Sequence, residues 1–258
     1  MLVDSHCHLE YDGLVDDQAA ALDRAREAGI EAFLNISTKR AEWTQVVGTA
    51  RSEDDVFASV GIHPHNADDH LDLTREELLE ATRDPKVIGI GETGLDYYYE
   101  HSDRAAQQRL FRLHIDVARE VQLPVIIHTR DAEEDTLAIL EDELGKGAFP
   151  ALIHCFTASA EFGRQVLDLG LSVSISGIVT FKSARELQDF AREIPQDRLL
   201  IETDSPFLAP VPHRGKPCEP GFVRDTAQFI ADLRSEPLGE LARYTTQNFY
   251  TLFGKAAA

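Results

Sequence analysis

Residues 1–8 read MLVDSHCH, and their pattern sets the question for the rest of the chain. The apolar pair Leu2-Val3 predicts a short β-strand that ends in His6 and His8. Successive side chains of a strand point to opposite faces, so these two histidines share one face and Cys7 lies on the other. Two imidazoles at this spacing can bind one metal ion. The prediction gains weight only if other strands also end in metal-ligand residues.

Short apolar runs alternate with helical patterns along the chain. Such runs are typical of strands that are buried on both faces. The predicted strands are residues 1–8, 31–37, 56–63, 86–92, 124–128, 151–154, 171–176 and 198–203. The predicted helices are residues 15–28, 39–51, one opening at Thr74, 102–121, 132–144, 160–169, 183–193, 220–233 and 238–253. Capping-box spacing, Ser or Thr followed three residues later by Glu, predicts helix starts at Thr74 and Ser183.

This order predicts an α/β fold, a (β/α)8 TIM barrel, in one domain over residues 1–258. Strict alternation of strands and helices implies a parallel sheet, and eight units in 258 residues are typical of the barrel. The alternative is a doubly wound open sheet, which would carry a glycine-rich phosphate loop after the first strand. His6-Cys7-His8 occupies that place instead. The last four residues, 255–258, are expected to fray.

The composition is that of a soluble globular protein, with 43% hydrophobic and 27% charged residues. No apolar run reaches the length of a membrane span, and no signal peptide is expected. Three scattered cysteines and no CxxC motif favour a reducing compartment, so we expect a cytoplasmic protein. The net charge of −20 argues against nonspecific binding to long duplex DNA. We expect a monomer without a stable protein partner.

Metal-ligand residues recur at the C-terminal ends of the predicted strands. In a barrel these ends open on one rim, where active sites lie. Four imidazoles and two carboxylates can hold two divalent ions, and six of the strand-end residues supply them: His6, His8, Glu92, His128, His154 and Asp204. Glu202 precedes Asp204 by two residues and points to the same inner face, where it would serve a further ion, support a ligand histidine or form a salt bridge. The strand-end residues are His6, His8, His63, His65, Glu92, His128, His154 and Asp204.

Read together, these segments resemble the TatD family of metal-dependent hydrolases, the TatD-type deoxyribonucleases. The resemblance implies an amidohydrolase-like barrel that cleaves phosphodiesters with divalent metal. It covers nearly the whole chain. The matching motifs are DSHCHL, GIHPH, GETGLDYYY, HTRDAEEDT, HCFTAS, SISGIVTFK, ETDSPFLAPVPHRGKPCEP and QNFYTLFG.

Site roles follow from the resemblance, motif by motif. One ion would be held by His6, His8, Glu92 and Asp204, and the second by Glu92, His128 and His154, so that Glu92 bridges the two. Three residues would be catalytic: Asp204 would orient or deprotonate the attacking water, Glu92 would bridge the ions, and His63 would touch the substrate phosphate.

The chain departs from the family pattern at Cys218, where members usually carry asparagine. The favoured interpretation is a neutral small replacement; an altered loop contact or a redox-sensitive thiol is the alternative. Glu219 keeps the family's glutamate and is a possible support, with Glu202, for a third ion.

The expected activity is 3′→5′ exonucleolytic hydrolysis of DNA ends or single-stranded DNA by metal-activated water. The alternatives are another hydrolase on the same barrel, namely an aminoacyl-tRNA deacylase, a small-ester hydrolase or a deaminase, and a metal-binding scaffold. The resemblance points to magnesium, whereas the imidazole-rich site also suits zinc, manganese, iron or nickel.

Cations and aromatic rings near the predicted rim are open to two interpretations. Arg130, Arg214 and Lys216 would either neutralise substrate phosphate or pair with the many acids of the surface. Tyr97, Tyr98 and Tyr99 would either stack on bases or close the barrel mouth by packing.

Overall fold

The computed structural model describes residues 1–257, and within this range the chain forms one sheet of eight parallel strands. Each strand pairs with the next in chain order, as a barrel requires. The strands are β1 (Leu2–Cys7), β2 (Ile30–Asn35), β3 (Val56–Val60), β4 (Val87–Asp96), β5 (Val125–Arg130), β6 (Ala151–Ile153), β7 (Ser172–Ile175) and β8 (Leu199–Ile201).

Nine α-helices surround or follow these strands within residues 1–257. Their bounds are α1 (Gln18–Glu27), α2 (Trp43–Ser52), α3 (Arg75–Ala81), α4 (Arg104–Val121), α5 (Glu133–Lys146), α6 (Ala160–Asp168), α7 (Arg185–Glu193), α8 (Val223–Arg234) and α9 (Leu238–Leu252). Short 3₁₀ turns lie at Val15–Asp17, Arg40–Glu42, Pro64–Asn66, Asp68–His70, Gly177–Thr180, Gln196–Arg198, Pro220–Phe222 and Gly254–Ala257.

The barrel closes where the segment after β8 meets β1. Cys7 and Ser205 form a parallel bridge, and the Asp204 N–H donates to the His6 carbonyl at 2.9 Å. The Ser5 hydroxyl donates to the Ile201 carbonyl on the same seam. The predicted (β/α)8 barrel is confirmed, and the doubly wound alternative is wrong because the first and last strands are neighbours.

The barrel interior is apolar at the N-terminal ends of the strands. Val3, Ile88 and Ile126 lie there in one apolar cluster with Phe249 and Phe253, which come from the C-terminal end of the chain. A larger apolar layer packs between the strands and the outer helices. Apolar side chains thus fill the barrel at the N-terminal ends of the strands, and polar residues can gather at the C-terminal ends.

The chain beyond α9 is more ordered than expected. The Lys255 ammonium donates to the carbonyls of Thr82, Asp84 and Val87, which ties the 3₁₀ turn to the barrel. The expectation of a frayed end is therefore wrong at Lys255, and Ala258 lies outside the described residues.

One predicted capping box is confirmed and the other is wrong. The Thr74 hydroxyl accepts the Glu77 N–H at 3.2 Å at the start of α3. The helix predicted from Ser183 begins instead at Arg185, with Ala184 as its N-cap and no side-chain cap. Ala184 N–H bonds back to Phe181, so the turn before α7 delays the helix by one residue.

Strand β4 is longer than predicted. The expected end was Glu92, but pairing with β5 continues through Asp96 ↔ Arg130 after a register shift between Ile90 and Thr93. The extension carries Asp96 up to the rim that holds Glu92, so a second β4 carboxylate joins the site.

Candidate metal centre

The strand-end residues meet at the C-terminal rim of the barrel, as the strand order requires. They face a cleft of about 1110 Å³ that opens to solvent. No helix among residues 1–257 combines the length and apolarity that a membrane crossing needs. Cleft-lining residues from the predicted set are His8, His63, His65, Glu92, His128, His154 and Asp204.

One side of the site gathers the two β1 histidines around one oxygen of Glu92. His6 Nε2 lies 3.4 Å and His8 Nε2 lies 3.8 Å from Glu92 Oε2. Asp204 Oδ1 lies 3.6 Å from His6 Nε2 and 3.4 Å from His8 Nε2. The two ring nitrogens are 3.2 Å apart. Nitrogens bound at about 2.1 Å to one ion are separated by roughly 3 Å, so this spacing fits a shared cation.

The other oxygen of Glu92 faces three further imidazoles. Glu92 Oε1 lies 3.3 Å from His63 Nε2, 3.1 Å from His128 Nδ1 and 2.8 Å from His154 Nε2. Glu92 is buried, and so is His154. The carboxylate therefore stands between two groups of ring nitrogens, one on each oxygen.

His63, predicted only to touch the substrate phosphate, lies within reach of the predicted metal ligands. Its ring nitrogen joins Glu92 and His128 in one group whose ligand atoms lie within 4.8 Å of one another. The Ile62 N–H before it donates to His114 Nε2, which fixes this backbone segment against α4.

Glu202 supports a histidine from below. Its Oε1 accepts from His154 Nδ1 at 3.3 Å, and its other oxygen accepts from the Ser174 hydroxyl. With Nδ1 engaged, His154 turns Nε2 toward Glu92. Of the three interpretations of Glu202 given above, support of a ligand histidine is the one that this contact favours.

A further group of possible ligands lies deeper in the barrel. His6, His154 and Glu202 each offer an atom within 4.8 Å of the others. Glu219 is not part of this group, and its carboxylate pairs with Arg24 of α1 at 2.8 Å. The expectation that Glu219 supports a third ion together with Glu202 is therefore not met by this arrangement.

Asp96 is the site residue that the sequence interpretation missed. Its Oδ2 accepts from His128 Nε2 at 3.0 Å and from His65 Nε2 at 2.8 Å. Its Oδ1 accepts the backbone N–H groups of Tyr98 and Tyr99, each at 3.0 Å. Asp96 thus holds a predicted ligand histidine and the rim loop at once. Its even spacing from Glu92, four residues along a strand, was the available signal.

Burial and mutual charge set the protonation of the centre. Burial alone would raise the pKa of the Glu92 carboxyl, but the neighbouring His154, His63 and His128 hold it well below its usual range. Burial opposes charge on His154, yet Glu92 and Glu202 raise its pKa well above the ordinary value. Burial lowers the pKa of His63 to about 4. The Glu92 carboxyl therefore stays ionised despite its burial, as a ligand to a cation must be.

The donor set fits divalent cations. His6 Nδ1 is a buried ring nitrogen without a hydrogen-bond partner within residues 1–257. Mixed imidazole and carboxylate ligands suit first-row transition ions, and carboxylates also suit magnesium. Asp204 adds an ionised carboxylate at the mouth: burial opposes its charge, but His8 and His6 lower its pKa.

Asp204 adopts an uncommon backbone conformation. Its φ of +60° lies in the left-handed region, which is costly for a residue with a side chain. The Asp204 N–H bond to the His6 carbonyl holds it there, which aims the carboxylate at the β1 histidines.

Cys218, which stands where family members usually carry asparagine, does not bring a thiolate to the metal centre. Cys218 is buried, and its Sγ contacts the Glu219 carbonyl at 3.8 Å. Burial raises the pKa of this thiol, so it stays protonated near neutral pH. This environment favours a neutral replacement over a redox-sensitive thiol.

Comparisons with known proteins agree with this arrangement. Residues 3–254 match the family described as TatD related DNase. The uncharacterized metal-dependent hydrolase YcfH of Escherichia coli K12 is 45% identical over 255 residues, which cover 98% of this chain and 95% of YcfH. A protein of Erwinia tasmaniensis named 3′-5′ ssDNA/RNA exonuclease TatD is 36% identical over 243 residues, which cover 92% of this chain and 93% of that protein.

The fold has a close counterpart among solved structures. The crystal structure of YJJV, a TatD homolog from Escherichia coli K12, superposes with a TM-score of 0.91 at 28% identity and covers 98% of both chains. A family match over nearly the whole chain and relatives above 30% identity carry the assignment. This chain therefore belongs to the TatD family of metal-dependent hydrolases.

Proposed function

We propose that the protein hydrolyses phosphodiester bonds of DNA with two bound divalent metal ions, as a 3′→5′ exonuclease. The observation that carries the proposal is the position of Glu92. One of its oxygens faces His6 and His8, and the other faces His128 and His154. A carboxylate between two such groups is suited to bridge a pair of ions.

The proposed ligands are those of the resemblance. His6, His8, Glu92 and Asp204 would hold one ion, and Glu92, His128 and His154 the other. Magnesium is the proposed ion. When bound, a pair of such cations supplies Lewis-acid charge for the phosphate and lowers the pKa of water.

The side chains around the pair have separate tasks. Asp204 lies at the mouth of the cleft with an ionised carboxylate and is the proposed acceptor for the proton of the attacking water. His63 borders the cleft beside Glu92 and is the proposed donor to the substrate phosphate. A third ion between His6, His154 and Glu202 is proposed from their clustered ligand atoms.

DNA ends or single-stranded DNA are the proposed substrate. The relative from Erwinia tasmaniensis carries the name of a 3′-5′ ssDNA/RNA exonuclease, which supports this class. A net charge of −20 disfavours tight binding along a duplex, so local cations in a cleft fit the attack on ends better. A cytoplasmic monomer remains our proposal for its state.

The test is the degradation of end-labelled single-stranded DNA by metal-stripped protein with magnesium, manganese or zinc added back separately. We expect metal-dependent shortening from the 3′ end. Asp204→Asn tolerates the left-handed backbone and removes the proposed base, so the rate should fall at least about a hundredfold. Asp232→Asn on the surface of α8 is the matched control and should keep the parent rate.

Two results would overturn the proposal. One is the absence of cleavage with every ion while metal still binds, which would direct the search to small esters, amides and aminoacyl-tRNA. The other is full activity of Asp204→Asn or of Glu92→Gln.

A further inference from the structure

We infer that Tyr98, Tyr99 and Arg130 form a binding subsite for a nucleobase of a single-stranded substrate, next to the bond that is cut. These three residues are called the rim platform below. The inference rests on the proposed function and names the part of the substrate that the platform recognises.

The rim platform is an exposed corner of two aromatic rings and a guanidinium. The tyrosine rings stand nearly perpendicular, with centroids 4.8 Å apart and an interplanar angle of 88°. The Arg130 guanidinium lies 4.1 Å from the Tyr98 centroid and 4.7 Å from the Tyr99 centroid. Tyr98 is 56% and Tyr99 48% exposed, so both large rings face solvent beside the cleft.

Arg130 is free to meet a phosphate or a base. Most arginines of this acidic chain pair with carboxylates, as Arg26 and Arg119 do. Arg130 forms no ion pair within residues 1–257; its polar contact is the Tyr99 hydroxyl at 3.3 Å. A planar guanidinium on an aromatic ring offers both a stacking surface and charged donors.

The platform connects directly to the proposed reaction centre. Tyr99 meets His65 edge to face at 5.3 Å, and His65 meets His63 at 4.3 Å. Tyr99 and Arg130 line the same cleft as His63 and Glu92. A nucleotide next to a phosphate at His63 therefore has the platform within reach.

A second aromatic wall faces the centre from the β8 side. Phe207 is 50% exposed and lines the cleft, with its ring 6.0 Å from Tyr11. Tyr11 in turn stacks on His8 at 4.6 Å. The ligand residues thus lie between two aromatic walls, which suits a strand whose adjacent bases are splayed around the scissile phosphate.

The platform is held in place before a ligand arrives. The backbone N–H groups of Tyr98 and Tyr99 bond to Asp96, and the Asp96 N–H bonds to Gln107 on α4. Preorganised rings lose little conformational entropy on binding, so stacking retains more of its free energy.

The surrounding charge points to stacking on a single strand as the mode of recognition. Asp131, Glu133 and Glu186 line the same cleft and disfavour a long phosphate backbone. Affinity must then come from contacts that do not depend on charge alone, and base stacking on aromatic or guanidinium planes provides them. Bases in a duplex already stack on each other, so a single strand is the matching ligand.

The test measures binding of a single-stranded oligonucleotide with phosphorothioate-blocked ends to the metal-loaded protein by fluorescence anisotropy. Each base near the 3′ end is removed in turn by an abasic sugar. For the parent protein, one or two such positions should raise the dissociation constant roughly fivefold to a hundredfold. Tyr99→Leu and Arg130→Gln should bind the intact oligonucleotide with the higher dissociation constant that the parent shows for the abasic ones. Removal of a base at those positions should then raise the constant of these variants no further.

The controls separate the platform from the fold and from the proposed function. Arg109→Gln removes an exposed arginine on α4 outside the cleft and should bind as the parent does. If the parent cleaves and binds oligonucleotides but both platform variants keep its abasic profile, the inference is wrong and the function stands. The inference is also wrong if Tyr99→Leu and Arg130→Gln weaken the binding of a blunt DNA duplex as much as that of the single strand. If the parent neither binds nor cleaves oligonucleotides, function and inference fail together.

Discussion

Asp96 shows how one buried carboxylate can organise a reaction site without facing the substrate. It accepts from His128 Nε2, which leaves His128 Nδ1 to face Glu92 at 3.1 Å. Glu202 does the same for His154 through the opposite ring nitrogen. In both histidines a carboxylate fixes the tautomer and directs the free nitrogen toward the centre.

Asp96→Asn should weaken metal binding. The amide oxygen still accepts the Tyr98 and Tyr99 N–H groups, but the amide nitrogen cannot accept from His128. We expect a roughly tenfold to hundredfold loss of affinity for manganese by isothermal titration calorimetry, as for other supports of ligand histidines.

Asp189→Asn, an exposed change on α7, is the control and should leave the affinity unaltered. An Asp96→Asn protein that binds manganese as tightly as the parent would show that Asp96 has no role in positioning His128.

The predicted ligands emerged from the sequence because each ends an apolar run. His6, Glu92 and His154 needed only the strand pattern and the rule that parallel strand ends share a rim. Asp96 was missed because β4 was expected to end at Glu92, and a register shift with a longer pairing could not be deduced from apolar runs. The approach of Glu219 to Arg24 depends on tertiary packing that no local motif encodes.

Among the secondary-structure elements, helix α4 holds the segment before His63 in place through the buried residue His114. This buried residue accepts the Ile62 N–H through Nε2 and bonds the Leu110 carbonyl through Nδ1 at 2.7 Å. The contact at Nε2 requires the neutral ring, because a protonated ring nitrogen cannot accept a hydrogen bond. Burial lowers the pKa of His114 to about 4.

The pH dependence of unfolding should report this histidine. Between pH 6.5 and about 4, His114 is protonated in the unfolded chain but still neutral in the folded chain. The free energy of unfolding therefore falls as the pH falls through this range. His114→Gln removes this contribution. The loss of unfolding free energy from pH 7 to pH 4 should be smaller than in the parent by roughly 3 kcal/mol.

Urea unfolding at a series of pH values measures the difference. His70→Gln on the 3₁₀ turn before α3 controls for the removal of an imidazole. Parallel stability curves for the parent and His114→Gln over this range would contradict a neutral buried His114.

Element boundaries were predicted less well than element order. The N-cap of α7 is Ala184 rather than the predicted Ser183, because the Ala184 N–H bonds to the Phe181 carbonyl and continues the preceding turn. The barrel order itself follows from the alternation of strands and helices, which small shifts of this kind do not disturb.

In the molecule as a whole, the apolar core and the polar candidate site occupy opposite ends of the barrel. Phe249 and Phe253 fill the N-terminal end of the interior, and the ligand residues occupy the other end. The charge of −20 is spread over a surface where most arginines are already paired. Metal ions bound in the cleft would therefore give it a local charge opposite to that of its surroundings, which would attract an anionic substrate.

Electron paramagnetic resonance during a manganese titration of the metal-stripped protein detects whether two ions share the Glu92 carboxylate. We predict that at least two ions bind per chain and that the spectrum of the pair at the rim shows exchange coupling through the Glu92 carboxylate. Glu92→Gln should abolish the coupling. A single bound ion, or two ions with uncoupled spectra in the parent protein, would contradict a bridged pair at this rim.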